Sequence, residues 1–400
     1  MTTEPRAFEG INVLDFTQGI AGPHATMLLA QHGANVLKIE PPQGDWGRTL
    51  GAIYDDQCGH SVAFNRGKRS LAMDMKNPDA QAVARRIAEK ADIIVEAFRP
   101  GVMAKFGLGY EQVKAFNPNV IYLSVTGFGQ TGPNASRPVT DAVIQAHSGL
   151  MTVNRDKDGI PQRINMIPID VITGLYAFQG LSAALMRKFR YGTGCYIDNN
   201  LMQSAAAFQA AKIMEFYLEG GESQPLYVPV GTMQTADGYI NISAMREAHY
   251  RTLCDVMGKP EWKDDPRFDS REKRLENEDV IMPLVREVFR TRTTADWAEA
   301  LTAAGVMNAP VQDYADFMAH PHTKAVEAVA YVDHPRTGTV PMPHIPGLPR
   351  IDGPDAFTHS PAIGEHGDAI LAEWGYSAAE IAGMKASGAV TGGETAVAAE

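Results

Sequence analysis

The chain has 400 residues, of which 44% are hydrophobic and 21% are charged, a composition typical of globular proteins with a sizeable core. Its formal net charge of −11 disfavours nucleic acid and anionic membranes as partners. An enzyme with anionic substrates would then need a local basic pocket. The three cysteines, Cys58, Cys195 and Cys254, are far apart and form no CxxC pair, so neither a disulfide framework nor a thiolate metal site is predicted.

The beginning of the chain is polar and has no apolar segment of the kind found in signal peptides. Nowhere does the sequence approach the run of about 18 apolar residues that a membrane-spanning helix requires. We therefore expect no membrane partner and a cytoplasmic location.

Short apolar strands alternate with helical segments along the first half of the chain. A β-rich segment at 10–16 is followed by a turn, a helical pattern at 24–32 and a strand pattern at 34–39. The same alternation continues downstream. Buried strands that alternate with helices predict a doubly wound α/β sheet with parallel strands. Further predicted strands are 69–73, 92–98, 120–126 and 195–197, and further predicted helices are 80–90, 110–116, a long one after Pro168, and 201–218.

The composition changes at 220–225, Gly-Gly-Glu-Ser-Gln-Pro, where we predict a linker. The chain is thereby divided into a large domain at 1–220, a small α+β domain at 221–330 and a C-terminal segment at 331–400.

A glycine-rich stretch, Gly127–Gly132, matches the dinucleotide pattern GxGxxG. Prolines at 133 and 138 follow at once, so no helix N-terminus can cover a pyrophosphate there. The stretch is therefore interpreted as a turn. The histidines are scattered, and no metal site or tightly bound cofactor is predicted.

Basic residues cluster around two of the predicted strands, in contrast to the acidic chain as a whole. Because ligands bind at strand ends of α/β sheets, these residues are candidates for binding a phosphate-bearing anion. They are Arg66, Lys68, Arg69, Lys76, Arg99 and Lys105.

Asp170 precedes a long helical pattern that contains the small residues Thr173, Gly174 and Ala177. Aspartate is a common N-cap, and the pattern by itself favours that role. A carboxylate can also act as a covalent nucleophile, with backbone N–H groups of the helix N-terminus steadying the carboxylate and the oxyanion formed on attack.

Several separate blocks resemble the class III CoA-transferase family, which also includes formyl-CoA transferase, carnitine CoA-transferase and α-methylacyl-CoA racemase. The resemblance spans nearly the whole chain. The blocks are Val13-Leu-Asp-Phe-Thr-Gln with Gly22-Pro23; Gly33 to Pro42; Asn65-Arg-Gly-Lys-Arg-Ser with Asp74-Met-Lys; Phe98-Arg-Pro-Gly; Gly127 to Pro133; Gln145-Ala with Ser148-Gly149; Asp170 with Thr173 to Ala177; Gly364-Glu-His; and Trp374-Gly-Tyr-Ser.

The resemblance implies a Rossmann-like large domain completed by the C-terminal segment, a small α+β domain, and a homodimer of interlocked rings. It also implies an enzyme that transfers sulfur-containing groups, here coenzyme A (CoA), from an acyl-CoA to another small carboxylic acid. Succinyl-CoA is a reasonable donor. Asp170 would form an acyl-aspartyl anhydride and then an aspartyl-CoA thioester.

By position, the resemblance assigns the CoA contacts to a set of short segments and places 137–141 near the thioester. The contacts are Ile20, Ala21, Met73, Asp74, Lys76, Ala97, Phe98, Arg99 and Lys105, with Arg137 and Thr140 near the thioester.

Three departures from the family pattern bear on the reaction. Thr140 stands where racemases have a histidine, which argues against racemisation because threonine is a poor proton acceptor. Ala97 replaces an asparagine of formyl-CoA transferases, and 243–249 lacks their glycine run, so formyl and oxalyl substrates are disfavoured. An acyl-CoA racemase or epimerase and a non-catalytic CoA-binding protein remain the alternatives.

Overall fold

The computed structural model describes residues 5–156, 158–221 and 226–392. The chain divides into a larger unit, up to Ala210 together with the residues from Glu327 onward, and a smaller unit, Ala211–Val326. The sequence placed these boundaries at 220/221 and 330/331. Of the predicted linker at 220–225, residues 222–225 lie outside the described residues.

Fourteen strands are present in the described part of the chain. They are β1 Asn12–Phe16, β2 Asn35–Glu40, β3 Ile53–Tyr54, β4 Gln57–Cys58, β5 Arg69–Met73, β6 Ile93–Glu96, β7 Ile121–Thr126, β8 Cys195–Asn200, β9 Val230–Gln234, β10 Tyr239–Ser243, β11 Met307–Pro310, β12 Val329–His334, β13 Gly338–Pro343 and β14 Val390–Thr391.

The same residues form seventeen α-helices. They are α1 Ala21–Gln31, α2 Gly59–Asn65, α3 Pro78–Ala88, α4 Val102–Lys105, α5 Tyr110–Phe116, α6 Asp141–His147, α7 Pro168–Tyr191, α8 Leu201–Phe208, α9 Ala210–Leu218, α10 Glu247–Val256, α11 Arg271–Glu276, α12 Glu278–Phe289, α13 Thr294–Ala303, α14 Tyr314–Ala319, α15 Pro321–Ala325, α16 Gly367–Glu373 and α17 Ala378–Ala386.

The larger unit is built on a seven-stranded sheet with the order β14-β5-β2-β1-β6-β7-β8. All neighbouring strands are parallel except β14, which runs antiparallel to β5. The predicted α/β class with a mainly parallel sheet is confirmed.

Helices cover both faces of this sheet. One apolar core joins the strands to α3, α5, α16 and α17, and a second joins them to α1, α6, α7 and α8. Because α16, α17 and β14 belong to the first core, the C-terminal part of the chain completes the larger unit. Because every strand of the sheet except β14 runs in the same direction, these strands have their carboxyl ends at one edge. Open α/β sheets bind ligands at that edge.

The smaller unit has a three-stranded antiparallel sheet with the order β11-β10-β9. Helices α10, α12 and α13 bury Tyr250, Val285 and Trp297 against it. This unit is an α+β structure with its own core.

Helix α7 is long and apolar enough to cross a membrane by length and composition, with 24 residues and a mean hydropathy of 1.3 over its most apolar window. The sequence analysis predicted a long helix here but no segment able to span a membrane. A single one is weak evidence for a membrane span, because core helices of globular proteins have the same character. One side of α7, including Ala177, Leu181 and Leu185, is buried in the second core.

Candidate active site

Asp170 is the third residue of α7 and not its N-cap, since the cap position is Ile167. The helix is instead capped from another element by Asp141, the first residue of α6. Asp141 Oδ2 accepts hydrogen bonds from the backbone N–H groups of Ile169 at 2.7 Å and Asp170 at 2.9 Å. The Asp141 side chain is itself buried and is held by Gln145, whose Nε2 donates to Oδ1 at 2.6 Å.

This arrangement corrects the sequence-based interpretation in two ways. Asp170 does not act as the cap, and the N–H groups of Ile169 and Asp170 at the helix N-terminus bond to Asp141 instead of to the Asp170 carboxylate. The Asp170 carboxylate is therefore left with an acidic neighbour at the start of the helix.

Burial raises the pKa of Asp170 to about 7, and the negative charge of Asp141 adds to the effect. Near neutral pH the carboxyl group is thus a mixture of the acid and the carboxylate. Removing its charge by covalent bond formation relieves both the desolvation and the repulsion. A partly buried carboxyl group with a strongly perturbed pKa marks a candidate functional site.

Helix α7 approaches α1 closely at Gly174, one turn after Asp170. A Cβ atom at position 174 would lie 2.7 Å from His24 Nδ1 and 2.9 Å from the carbonyl oxygen of Ala21. His24 Nδ1 lies 3.1 Å from the carbonyl oxygen of Val171, so Nδ1 carries the hydrogen and donates it. Burial lowers the pKa of His24 to about 4, and this side chain is neutral at physiological pH. The missing Cβ of Gly174 is what allows the start of α7 to meet the start of α1.

Buried charged side chains hold the loop between β1 and α1 in place. Lys38 Nζ contacts Asp45 Oδ2 at 2.8 Å and donates to the carbonyl oxygen of Thr17 at 2.9 Å. Asp45 Oδ1 in turn accepts from the N–H of Gly19 at 2.8 Å. These bonds hold the residues just before α1, and with them Ile20 and Ala21, in a single position.

A second buried pair joins Lys68 Nζ to Asp15 Oδ2 at 3.1 Å. Burial favours the neutral acid, yet Lys68 and Lys38 hold the pKa of Asp15 below its usual value. For Lys68, burial outweighs its attraction to Asp15 and lowers its pKa to about 8. Both side chains are fully buried, so this ion pair ties the residue before β5 to the end of β1 inside the larger unit.

A cavity of about 340 Å³ lies at the carboxyl ends of β1, β2, β5 and β6. Four of the residues predicted to contact CoA line it: Met73, Asp74, Lys76 and Phe98. The structure therefore brings together parts of the chain that are separate in sequence, at the sheet edge where ligands bind. Gln18 also lines this cavity, and the sequence analysis had not selected it. The available signal was its position directly after β1.

The other predicted residues are more dispersed. Ile20 is the N-cap residue of α1 and Ala21 its first residue, Ala97 is half-buried after β6, and Lys105 is the exposed last residue of α4. Arg99 lines a neighbouring cavity of about 430 Å³. The Arg137 guanidinium lies 5.8 Å from the centre of the Phe128 ring, and Thr140 directly precedes α6.

Three members of the predicted basic cluster do not face this edge. Arg69 begins β5 at the opposite end of the strand and pairs with Glu373 at 2.7 Å. Lys68 and Arg66 precede it and are buried. Only Lys76 follows the carboxyl end of β5. The five residues of this strand therefore separate Lys76 from the three basic residues at its amino end, although all four are close in sequence.

Two further sequence-based interpretations concern the glycine-rich stretch and metals. Residues 127–140 form turns and irregular structure between β7 and α6, so no helix begins at the GxGxxG pattern. Within 5–156, 158–221 and 226–392, no group of three or more His, Cys, Asp or Glu side chains is arranged to hold a metal ion.

Comparison with known proteins connects these features to a family. Residues 8–367 match the model of CoA-transferase family III. The chain is 33% identical to acetyl-CoA:oxalate CoA-transferase of Acetobacter aceti, over 92% of this chain and 95% of that protein. It is also 33% identical to human succinyl-CoA:glutarate CoA-transferase, over 84% of this chain and 79% of that protein.

A solved structure has the same fold. The crystal structure of a CAIB/BAIF family protein from Brucella suis superimposes with a TM-score of 0.82 and 32% identity, covering 93% of this chain and all of that one. The family match extends through both units and includes Asp170, Asp141 and the residues of the sheet-edge cavity. The chain therefore belongs to CoA-transferase family III.

Proposed function

We propose that this protein transfers CoA from an acyl-CoA to another carboxylic acid, with Asp170 as the covalent nucleophile. The observation that carries the proposal is the position of Asp170 on the first turn of α7, where burial and Asp141 raise its pKa to about 7. Membership of CoA-transferase family III supports the reaction type.

In the first step an Asp170 oxygen attacks the thioester carbonyl carbon, the C–S bond breaks, and CoA leaves as a thiolate. The product is a mixed anhydride of the donor acid and Asp170. The thiolate then attacks Cγ of Asp170, and the donor acid leaves as a carboxylate that carries the bridging oxygen. The enzyme now holds CoA as an aspartyl thioester.

The acceptor acid reverses this sequence. Its carboxylate attacks Cγ of the aspartyl thioester, the CoA thiolate leaves, and a second anhydride forms. Thiolate attack on the acceptor's carbonyl carbon completes the new acyl-CoA and releases the Asp170 carboxylate. No water, oxidant or metal takes part in the balance.

The surroundings of Asp170 fit these covalent steps. Each intermediate is uncharged at Asp170, so the burial and the repulsion from Asp141 that disfavour the free carboxylate are relieved on reaction. Asp141 is kept in place by the N–H groups of Ile169 and Asp170 and by Gln145. The cost is that part of the enzyme is protonated, and inactive as a nucleophile, at neutral pH.

The sheet-edge cavity is proposed as part of the CoA site. Lys76 and Phe98 would meet the phosphate-bearing and adenine portions, and Gln18 lies on the loop that leads to α1. Ile20, Ala21, Ala97, Arg99 and Lys105 are retained as proposed CoA contacts, and Arg137 and Thr140 as residues near the thioester.

The family does not by itself identify the donor and acceptor acids. Relatives of equal identity are named for oxalate and for glutarate, so their names do not choose between a short and a longer acid. Succinyl-CoA remains the proposed first donor. The absence of a histidine at position 140 continues to favour transfer over racemisation.

A homodimer in the cytoplasm is also proposed. In its support, helix α9 carries the exposed apolar side chains Ile213, Met214, Phe216, Tyr217 and Leu218, an apolar surface of the kind that protein interfaces cover. Sedimentation equilibrium would give the assembly state directly. A monomer at micromolar concentration would contradict this part of the proposal.

The function is tested by mixing the protein with succinyl-CoA and recording its intact mass. We expect a covalent adduct of CoA mass on the native protein and none on Asp170→Ala. Asp264→Asn is the matched control, because the Asp264 side chain is 83% exposed and belongs to the smaller unit. It should form the adduct as the native protein does.

If succinyl-CoA gives no adduct, other acyl-CoA donors should be tested in the same way. Failure of all donors, with CoA still bound, would contradict covalent transfer. Exchange of the donor's α-proton with solvent deuterium would then identify a racemase or epimerase, and binding with neither reaction would identify a non-catalytic CoA-binding protein.

A further inference from the structure

A second and larger cavity, of about 750 Å³, lies in the larger unit next to the first two turns of α7. This volume falls in the range of about 300–1,000 Å³ that small-molecule sites occupy. Its walls are mainly apolar and come from α1, α2, α7 and the segment after β12. The apolar contributors include Met27, Leu28, Val62, Phe64, Leu175 and Met342.

One lining residue, Arg66, carries a permanent charge. Its side chain is only 5% exposed, and no carboxylate of the described residues lies within ion-pair distance of it. One guanidinium nitrogen donates to the carbonyl oxygen of Pro343 at 3.2 Å, whereas Nε has no hydrogen-bond partner in the described structure. A buried cation without a counter-ion is costly, and an anionic ligand would remove that cost.

Polar side chains without a negative charge also line the cavity, among them His24, Thr337 and His344. His24 is uncharged, with its Nδ1–H donated to the carbonyl oxygen of Val171. Thr337 Oγ1 lines the same cavity and also lacks a hydrogen-bond partner in the described structure. No acidic side chain is present among the described lining residues. The cavity thus combines apolar walls with an unpaired guanidinium and an unpaired hydroxyl group.

The position of the cavity relates it to the proposed nucleophile. Val171, which holds His24, follows Asp170 directly, and Leu175 lies five residues after Asp170 on the same helix. At a rise of about 1.5 Å and a rotation of about 100° per residue, Leu175 is roughly 7.5 Å along the helix axis from Asp170 and roughly 140° around it. Asp170 does not itself line the cavity, but His24, which does, contacts the turn of α7 that begins at Asp170.

We propose that this cavity binds the acyl portion of the substrate and that Arg66 pairs with a second carboxylate at the far end of an apolar chain. The preferred acids are accordingly dicarboxylic acids with an apolar spine longer than that of succinate. Arg66 is a specificity-determining residue and takes no part in the bond-making steps. This inference rests on the proposed function, because it assumes that one carboxyl group of the acid reacts at Asp170.

The test compares acceptor acids of matched length: adipate, suberate and sebacate against hexanoate, octanoate and decanoate. For the native protein we expect kcat/KM to favour each dicarboxylate by roughly tenfold to a hundredfold, as for a buried charge-assisted hydrogen bond. We also expect suberate to exceed succinate. Arg66→Met should abolish the preference for the dicarboxylate, and Arg66→Lys should restore part of it.

Arg85→Met is the matched control, since Arg85 lies on α3 at the other face of the sheet and is 53% exposed. It should keep the native preference. A native protein that does not prefer the dicarboxylates would overturn the inference, whether or not the Arg66 variants fold. So would an Arg66→Met protein that is folded by circular dichroism and retains the preference.

Failure of the inference and failure of the proposed function give different results. The aspartyl-CoA adduct is measured in the native protein and in the control Arg85→Met, and both should form it. If no protein forms the adduct, calorimetric binding of free suberate and octanoate decides the matter. Tighter suberate binding that is lost in Arg66→Met would support the cavity assignment, and equal binding of both acids would overturn it.

Discussion

Asp141 and Asp170 lie in the first turns of two different helices yet are joined directly, since Asp141 Oδ2 accepts the backbone N–H of Asp170 at 2.9 Å. One carboxylate therefore caps α7 and at the same time lies near the carboxyl group proposed as the nucleophile. The cap stabilises the helix, whereas its charge raises the pKa of Asp170.

The first prediction concerns the variant Asp141→Asn. Loss of the negative charge removes one cause of the raised pKa of Asp170, so the carboxylate should persist to lower pH. We expect the pH midpoint of adduct formation to move in the acid direction. The measurement is the rate of aspartyl-CoA formation between pH 5 and pH 9 by quenched-flow mass spectrometry.

A structural side effect must be separated from this shift. In the native protein Gln145 Nε2 donates to Asp141 Oδ1 at 2.6 Å. In the variant an amide NH2 group at this position cannot accept that hydrogen bond, so a loss of about 1 kcal/mol in unfolding free energy is expected. A decrease in rate at all pH values with an unchanged midpoint would show that Asp141 only caps the helix.

The second prediction is a pH-dependent stability difference between the native protein and Asp170→Asn. The folded-state pKa of about 7 lies above the ordinary value of 3.8, so the folded state binds the proton more tightly than the unfolded state. Stability is then lost as pH rises from about 4 through about 7. At about 1.36 kcal/mol per pKa unit the loss is at most about 4 kcal/mol.

Urea unfolding at pH 4 and pH 8 measures this difference. Asp170→Asn should gain stability relative to the native protein at pH 8 and lose that advantage at pH 4. Asp264→Asn should show no such trend. If Asp170→Asn and Asp264→Asn show the same change of stability with pH, the raised pKa of Asp170 is not the cause of that change.

The third prediction uses two glycines of α7. Gly174→Ala would place a Cβ 2.7 Å from His24 Nδ1 and 2.9 Å from the Ala21 carbonyl oxygen, which must force α1 and α7 apart. We expect a loss of roughly 1–3 kcal/mol in unfolding free energy and a reduced rate of adduct formation. Urea denaturation and the mass assay provide the two measurements.

Gly180→Ala is the matched control on the same helix. Its Cβ would meet nothing nearer than Ile197 at 3.8 Å, an ordinary contact. Replacing a helical glycine by alanine should then increase stability by roughly 0.5–1 kcal/mol. Equal destabilisation by both substitutions would contradict the close approach at Gly174.

The fourth prediction concerns the sheet-edge cavity. Lys76→Ala should raise KM for acyl-CoA by roughly twofold to fivefold with kcat little changed, because an exposed charge facing a phosphate contributes about 1 kcal/mol or less. The effect should decrease with added salt. Steady-state kinetics at two ionic strengths would measure it.

Lys90→Ala serves as the control for this substitution. Lys90 is exposed and precedes β6, so it lies at the opposite, amino-terminal edge of the sheet. Its removal should leave KM for acyl-CoA unchanged. Similar effects of both lysines would indicate general attraction by the protein's surface charge and no CoA site at this cavity.

Local sequence patterns predicted the α/β class because hydrophobic periodicity and turn residues act over a few neighbouring residues. The same patterns identified the helix that begins near Asp170, and the resemblance added its proposed role. The resemblance selected Met73, Asp74, Lys76 and Phe98, of which the charge pattern had also marked Lys76, and the sheet brings all four to one cavity. These residues lie at or just after the ends of strands, and parallel strands have their carboxyl ends at a common edge.

Other features depend on contacts between residues that are distant in sequence, and only the tertiary structure decides them. Asp141 accepts the N–H groups of Ile169 and Asp170 at the start of α7, and Lys68 is paired with Asp15 instead of being available to a phosphate. Arg66, two residues before Lys68, is left unpaired beside the larger cavity. Arg66 and Lys68 carry the same charge and lie two residues apart, so the sequence alone does not show which of them forms an ion pair. That is decided by where the fold buries each side chain and what lies beside it.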